Sequence, residues 1–361
     1  MTISRLSLAV AASVMGTLVG CHPTGPASIR AGRADYNIAI QQTNDQQLLL
    51  NLVRLKYRDT PSFLETASIA TSFTFEASGS SSAALLPSQA DTFGLSGKLA
   101  YTEKPTITYL PLRGEKFVTQ LLSPVELGTL LLLYHSGWSM DRLMRVIVQE
   151  INGIPNAPTA SGPTPTQAPK YKRFRRVTAL MRELQLDGIL TLGAASEGED
   201  ARIEIRIAPE AQSEDRVQRL IRELNLDPAK SRFTLTRAVA GGGGDQIALI
   251  TRSLMASLFY LSQGVEVPAR DRAAGLVTVT RDACGEVFDW KSITGDLLRV
   301  RSSGPRPVRA YTTVRYRGAW FYIDDSDLDS KSTFSLLTQL LALQSGEIKP
   351  QIPLLTLPVS R

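Results

Sequence analysis

Two cysteines and two histidines in 361 residues leave this chain almost without metal ligands. Zinc sites draw on sets of three or four Cys and His side chains, which so few cannot supply. A disulfide framework is excluded on the same ground. The sequence holds no Gly-x-Ser-x-Gly nucleophile elbow and no Gly-x-Gly-x-x-Gly dinucleotide fingerprint. Beyond the N-terminus no apolar run reaches the roughly 20 uncharged residues of a spanning helix. The richest, Ile247 to Leu261, is interrupted by Arg252. Hydrophobic residues make up 43%, an ordinary fraction for a folded chain. The net charge of +6, one less without Arg5, suits anionic surfaces such as lipid phosphates.

Arg5 and the free amino group precede the apolar, small-residue stretch Leu6 to Val19, the make-up of a secretory signal over residues 1–20. It closes on Leu18, Val19, Gly20 and Cys21. These four residues resemble the lipobox of bacterial lipoproteins. The resemblance implies cleavage before Cys21, its thioether lipidation and further acyl chains such as palmitate, and stable anchoring needs more than one chain. His22 rather than Asp follows, which in that family implies sorting to the outer membrane, here on the periplasmic face. Nucleic acid is then not an expected partner. Once Cys21 carries lipid, Cys284 has no intramolecular partner, and it is expected either as a small buried hydrophobe or paired with another chain.

Residues 21–34, with Pro23 and Pro26, read as a tether. Tyr36 to Arg58 reads as a helix, with an apolar stripe at Leu48, Leu49, Leu52, Val53 and Leu55 and a stop at Asp59, Thr60, Pro61. From Ala67 to Ala77 the odd positions are Ala67, Ile69, Thr71, Phe73, Phe75 and Ala77, and the even ones include Ser68, Ser72, Thr74 and Glu76. After a small-residue loop, Phe93, Leu95, Gly97, Leu99 and Tyr101 alternate with Thr92, Gly94, Ser96, Lys98 and Thr102. This is a hairpin, residues 67–101, with one apolar face. A half-buried sheet under a helix gives that pattern, and so does a membrane-crossing hairpin of about 9 to 11 residues per strand. In the second case several subunits must each donate one, because two strands cannot close a barrel.

A short strand, Thr106 to Leu110, is expected after Pro105, then a helix Val125 to Tyr134 with Pro124 in its first turn and another over Asp141 to Ile151. His135 reads as structural or solvent-facing, since a catalytic base needs a partner the sequence does not place. Residues 153–169, with five prolines among Thr, Ser and Ala, read as a linker between an N-terminal domain (35–152) and a C-terminal one (170–361). Lys170, Lys172, Arg173, Arg175 and Arg176 follow as a basic cluster suited to anionic head groups or to a solvated helix start. Arg176, Val177, Leu180, Met181, Arg182, Glu183, Leu184, Leu186 and Asp187 then recur as Arg216, Val217, Leu220, Ile221, Arg222, Glu223, Leu224, Leu226 and Asp227. The duplication implies two equivalent amphipathic helices, stopping at Gly188 and Pro228, each followed by a strand.

Gly241 to Gly244 lacks the Lys and hydroxyl of a phosphate loop, and reads as a turn before a helix Asp245 to Leu261 capped by Asp245. Strands at Leu297 to Arg301, Val308 to Tyr316 and Trp320 to Ile323 are expected, then a helix Thr333 to Leu343. The preceding Asp324, Asp325, Asp327 and Asp329 lack the Gly and Glu of a calcium loop. The tail from Lys349 to Arg361 reads as extended. The expected fold is α+β, amphipathic helices on mainly antiparallel sheets in two parts joined by the linker. No cofactor or metal is expected. The expected role is a non-enzymatic binding or assembly component of the cell envelope with envelope protein partners; a subunit of an oligomeric export pore is the alternative, and a periplasmic hydrolase the third.

Overall fold

A computed structural model describes residues 24–84, 92–112, 114–195, 202–237 and 242–345. The expected signal sequence over residues 1–20, Cys21 with the residues that resemble a lipobox, and the tail from Lys349 to Arg361 lie outside them. Elements follow in the order α1 (Thr24–Lys56), β1 (Leu64–Ala84), β2 (Thr92–Pro111), α2 (Glu115–Leu122), α3 (Leu127–His135), α4 (Met140–Ile147), β3 (Val148–Ile151), β4 (Ile154–Pro155), α5 (Lys172–Leu186), β5 (Leu190–Ala194), β6 (Ile203–Ile207), α6 (Asp215–Leu224), β7 (Arg232–Thr236), β8 (Gln246–Thr251), α7 (Leu254–Ser262), α8 (Ala269–Ala273), α9 (Lys291–Thr294), β9 (Arg301–Ser303), β10 (Ala310–Tyr316), β11 (Ala319–Asp324) and α10 (Leu328–Ser345). The fold is α+β. One compact unit ends at Asp45 and holds the start of α1; the second runs from Gln46 onward.

Within the second unit, six strands form a sheet in the order β4-β3-β8-β7-β6-β5. All its pairings are antiparallel except β7 with β8. A second sheet has the order β10-β11-β9, and β1 pairs with β2 alone. The apolar stripe of α1 is buried as its spacing requires, with Leu49, Leu52 and Val53 fully enclosed.

The duplicated helices are α5 and α6. Val177, Leu180, Met181 and Leu184 are buried, and so are their counterparts Val217, Leu220, Ile221 and Leu224. The helices lie antiparallel, because ion pairs join opposite ends: Arg216 to Asp187 at 2.7 Å and Arg173 to Glu223 at 2.7 Å. Their stops differ. Gly188 takes a φ of 70° after α5, whereas α6 ends on Asn225 in the left-handed region, before Pro228 is reached.

Several expectations are corrected. Residues 24–34 are helical, not an open tether. The strand expected at Thr106 to Leu110 is the continuation of β2, with Pro105 paired opposite Thr71. Pro124 precedes α3 and bridges to Ser253, so it is not a first-turn residue. The helix expected through Ile151 ends at Ile147, where the chain turns into β3. Asp245 caps no helix; β8 begins at Gln246, and Asp245 pairs with Lys230 at 2.9 Å. The helix expected from Thr333 begins at Leu328, and the strand expected from Leu297 begins at Arg301.

The largest correction concerns residues 153–169, which lie inside the second compact unit and separate nothing. Ile154, Asn156, Ala157 and Ala160 are buried. Asn156 donates its side-chain amide to the carbonyls of Arg145 (2.9 Å) and Val148 (2.7 Å). Arg252, fully buried, holds the same stretch from the other side. Its guanidinium donates to the carbonyl of Asn156, to Ser161 Oγ at 2.9 Å and to the carbonyl of Val148 at 2.8 Å, and it stacks 4.1 Å from the centre of the Tyr260 ring. Burial pushes Arg252 down to about 10, well above neutral pH, so a full charge is satisfied here by carbonyl oxygens.

Candidate functional site

The β1–β2 hairpin is longer than its sequence pattern indicates, 21 and 20 residues. At 3.3 to 3.4 Å per residue each arm reaches about 65 Å. Its base is fixed to the body. Asn51 and Ser62 exchange hydrogen bonds of 2.8 and 3.0 Å, and the Leu112 amide donates to the Phe63 carbonyl at 2.9 Å. Phe63 is buried, edge-on to Phe117 at 5.7 Å.

From Ser68 the register matches odd positions with odd and even with even. Phe75 stands opposite Tyr101, Ala77 opposite Leu99, Gly79 opposite Gly97, Ser81 opposite Leu95 and Ala83 opposite Phe93. Directly opposed residues share a face. One face over residues 75–83 and 93–101 therefore carries no charge and has aromatic positions at both ends. The other holds Glu76, Ser78, Ser80, Ser82, Ser96 and Lys98. Nearer the base, Ile107 and Tyr109 are 44% and 45% exposed, and Thr106 and Thr108 between them are exposed too. Both faces are uncovered there.

The basic cluster is split by α5. Arg173 is taken by Glu223, while Arg175 donates to Asp296 at 2.8 Å and to the Ser292 carbonyl at 2.5 Å. Lys170, Lys172 and Arg176 are exposed. Two of five cations are thus used internally. His135 ends α3 and is exposed, its ring edge-on to Tyr134 at 5.6 Å. Cys284 is exposed and free, which corrects the expectation of a buried thiol. The glycine run is a packing device at Gly242, where a Cβ would fall 1.9 Å from Asn152 Oδ1. That oxygen accepts from the Ala248 amide, and the Asn152 amide donates to the Leu224 carbonyl, so the side chain cannot give way.

Described residues of the second unit line two candidate cavities. One of about 510 Å³ contains Arg142, Arg145, Arg175, Arg182, Asp141 and Asp296. Arg145, nearly buried, reaches Asp296 at 2.6 and 3.0 Å and Asp141 at 3.1 Å. Burial pushes the Asp296 carboxyl up, but the hydrogen bond and charge of Arg145, then the charge of Arg175, hold it below the usual carboxylate range. Two carboxylates from distant segments meet here on the guanidinium of Arg145, and Asp296 stays ionised at neutral pH.

The other cavity, about 450 Å³, is bounded by Lys56, Gln263, Arg272 and the loop Val277 to Trp290. Lys56 Nζ donates to Gln263 Oε1 at 2.9 Å. Burial, then the charge of Arg272, pushes Lys56 down to about 8. Sequence reasoning missed this site: Lys56 follows the apolar stripe of α1, and Gln263 lies 207 positions away. Arg252, by contrast, did announce itself as the one charge in the richest apolar run. Among the described residues no group of three or more His, Cys, Asp or Glu stands ready to hold a metal, and no helix is long and apolar enough to cross a membrane. No protein-family model, no curated protein and no solved structure matches this chain.

Proposed function

We propose that this chain is a non-enzymatic assembly component of the bacterial outer envelope, anchored to the outer membrane through lipid on Cys21, that donates its β1–β2 hairpin to an oligomeric membrane pore. One observation carries the reading: a two-stranded hairpin of 21 and 20 residues, with no third strand among the described residues and with both faces open near its base. A two-stranded ribbon is marginally stable by itself in water, and such length with both faces open near its base calls for partners. In hydrocarbon every unpaired backbone group on the two outer edges costs several kcal/mol, so only a closed ring of hairpins satisfies them.

The register supports the same reading. The stretch whose one face is uncharged, residues 75–83 and 93–101, is nine residues long in each arm, close to the length of a tilted spanning strand. Aromatic positions at each end of that face match the girdles that flank the lipid-facing band of membrane barrels, and the serine-rich opposite face matches a wet lumen. The test is the mass and shape of the lipidated protein extracted in mild detergent, beside a Cys21→Ser form. A large ring formed by the lipidated protein is the expected result. A monomer or small complex in both forms refutes the pore, and leaves an envelope binding component with a free β-arm.

A further inference from the structure

The 450 Å³ cavity beside Lys56 owes nothing to the hairpin and stands wholly within the second unit. Its size falls within the range of small-molecule sites. Its charges do not cancel. Lys56, Arg272, Lys291 and Arg299 face it, against Glu266 and Asp289. Lys291 is paired with Glu266 at 3.2 Å, and Arg299 lies 3.7 Å from Asp327 outside the cavity. No described carboxylate pairs with Lys56 or Arg272. A half-buried ammonium that is largely desolvated ordinarily comes with a counter-charge, because its desolvation is otherwise uncompensated. Here the hydrogen bond of Lys56 to Gln263 goes to a neutral amide oxygen, leaving donors for another acceptor.

The rest of the wall mixes Thr278, Thr280, Thr294 and Ser302 with an apolar and aromatic stretch. Val277 and Val287 line it with Phe288 and Trp290, whose rings meet edge-on at 5.3 Å. Trp290 is fixed by its indole N–H, which donates to Thr280 Oγ1 at 3.0 Å. A rigid aromatic wall facing unpaired cations is complementary to one ligand chemistry. We propose that this cavity binds a small amphipathic anion, its carboxylate or phosphate received by Lys56 and Arg272 and its apolar body laid against Phe288 and Val287. The anion supplies the counter-charge that the fold omits. It also makes binding pH-dependent: affinity holds while Lys56 is protonated and falls as the pH rises above the pKa of the bound amine.

Calorimetry on the Cys21→Ser chain, free of lipid and detergent, tests this with acetate, octanoate and inorganic phosphate as probes. Octanoate is expected to bind more tightly than acetate. Lys56→Met is expected to weaken octanoate about tenfold or more, the value of a charge-assisted hydrogen bond. Arg272→Gln, at an exposed position that carries no core packing, is expected to weaken it about threefold. A direct readout needs no variant: with lysines converted to isotope-labelled dimethyl-lysine, the Lys56 resonance should titrate about one unit higher when octanoate saturates the site. Octanoate binding that Lys56→Met leaves unchanged overturns the proposal, as does a Lys56 titration that the ligand does not move. No heat from any probe up to about 10 mM also overturns it. Equal affinity for acetate and octanoate removes the apolar wall from the site. Each outcome is independent of whether the hairpin enters a membrane.

Discussion

Replacing Lys56 with Met should make this protein more stable near neutral pH. The ammonium is held down from 10.5 to about 8 by burial and by Arg272, a shift worth about 3 kcal/mol at about 1.4 kcal/mol per unit. Methionine follows nearly the same path without the charge. The substitution forfeits the hydrogen bond to Gln263 Oε1, about 1 to 2 kcal/mol. The expected net gain is thus about 1 to 2 kcal/mol, read by urea unfolding of the Cys21→Ser chain with and without the second substitution. The pH dependence isolates the cause. Lysine 56 binds its proton less tightly folded than unfolded, so between pH about 8 and 10.5 the unfolded state holds more protons and stability rises with pH. Below that window its penalty is complete and constant. Tyr57, Tyr260 and Tyr316 act oppositely, each pushed up first by burial, so they lower stability once unfolded tyrosines ionise above pH ~10. From pH ~8 to ~9.5 the wild-type minus Lys56→Met difference should shrink steadily. A variant less stable at neutral pH, or a difference flat across that window, refutes the account.

Arg252→Met should cost about 3 kcal/mol in the same assay, because the Asn156 carbonyl loses its only side-chain donor and the Val148 and Arg145 carbonyls each keep only Asn156; a loss below about 1 kcal/mol would show that the guanidinium does not pin residues 153–169. Excising residues 68–107 and closing β1 to β2 with a two-residue turn should leave unfolding of the body within about 1 kcal/mol of the full chain, since β1 pairs only with β2, and a larger loss would mean the arm is part of the core. Phe73→Asp with Leu95→Asp should leave solubility and unfolding unchanged in the Cys21→Ser chain while abolishing ring formation by the lipidated protein; rings formed unchanged in membranes refute the pore. Cys284, exposed, should take up one equivalent of a thiol reagent in the folded Cys21→Ser chain, and protection until unfolding would contradict its placement.

Periodicity made the local elements legible. The stripe from Leu48 to Leu55 is buried, the alternation at Ala67 to Tyr101 is a hairpin, and the duplicated positions of α5 and α6 carry matching buried side chains. Each rests on a repeat within a few residues, which composition and spacing report directly. What escaped was set by distance along the chain. Residues 153–169 have the composition of a linker, and contacts with remote segments, Arg252 and Thr280 among them, make them structure. Asp245 looks like a cap because glycines precede it, yet β8 follows because its residues pair with β7 and β3. Lys56 is a plain lysine at the end of a helix until Gln263 and Arg272 fold around it. Interior sites assembled from remote segments leave no local pattern to read.

The hairpin also constrains the symmetry of any assembly it builds. Its two outer edges belong to different strands running in opposite directions, so when all copies point the same way, β2 of one meets β1 of the next antiparallel, whereas β1 beside β1 would be parallel. The favoured contact is head-to-tail, each copy offering two unlike edges, and such contacts close into rings rather than stopping at a two-fold dimer. Every copy contributes a pair of strands, so any closed barrel has an even strand number whatever the copy number. A missing copy removes both strands at once and leaves two edges exposed, which makes an incomplete ring the least stable member of the series in lipid.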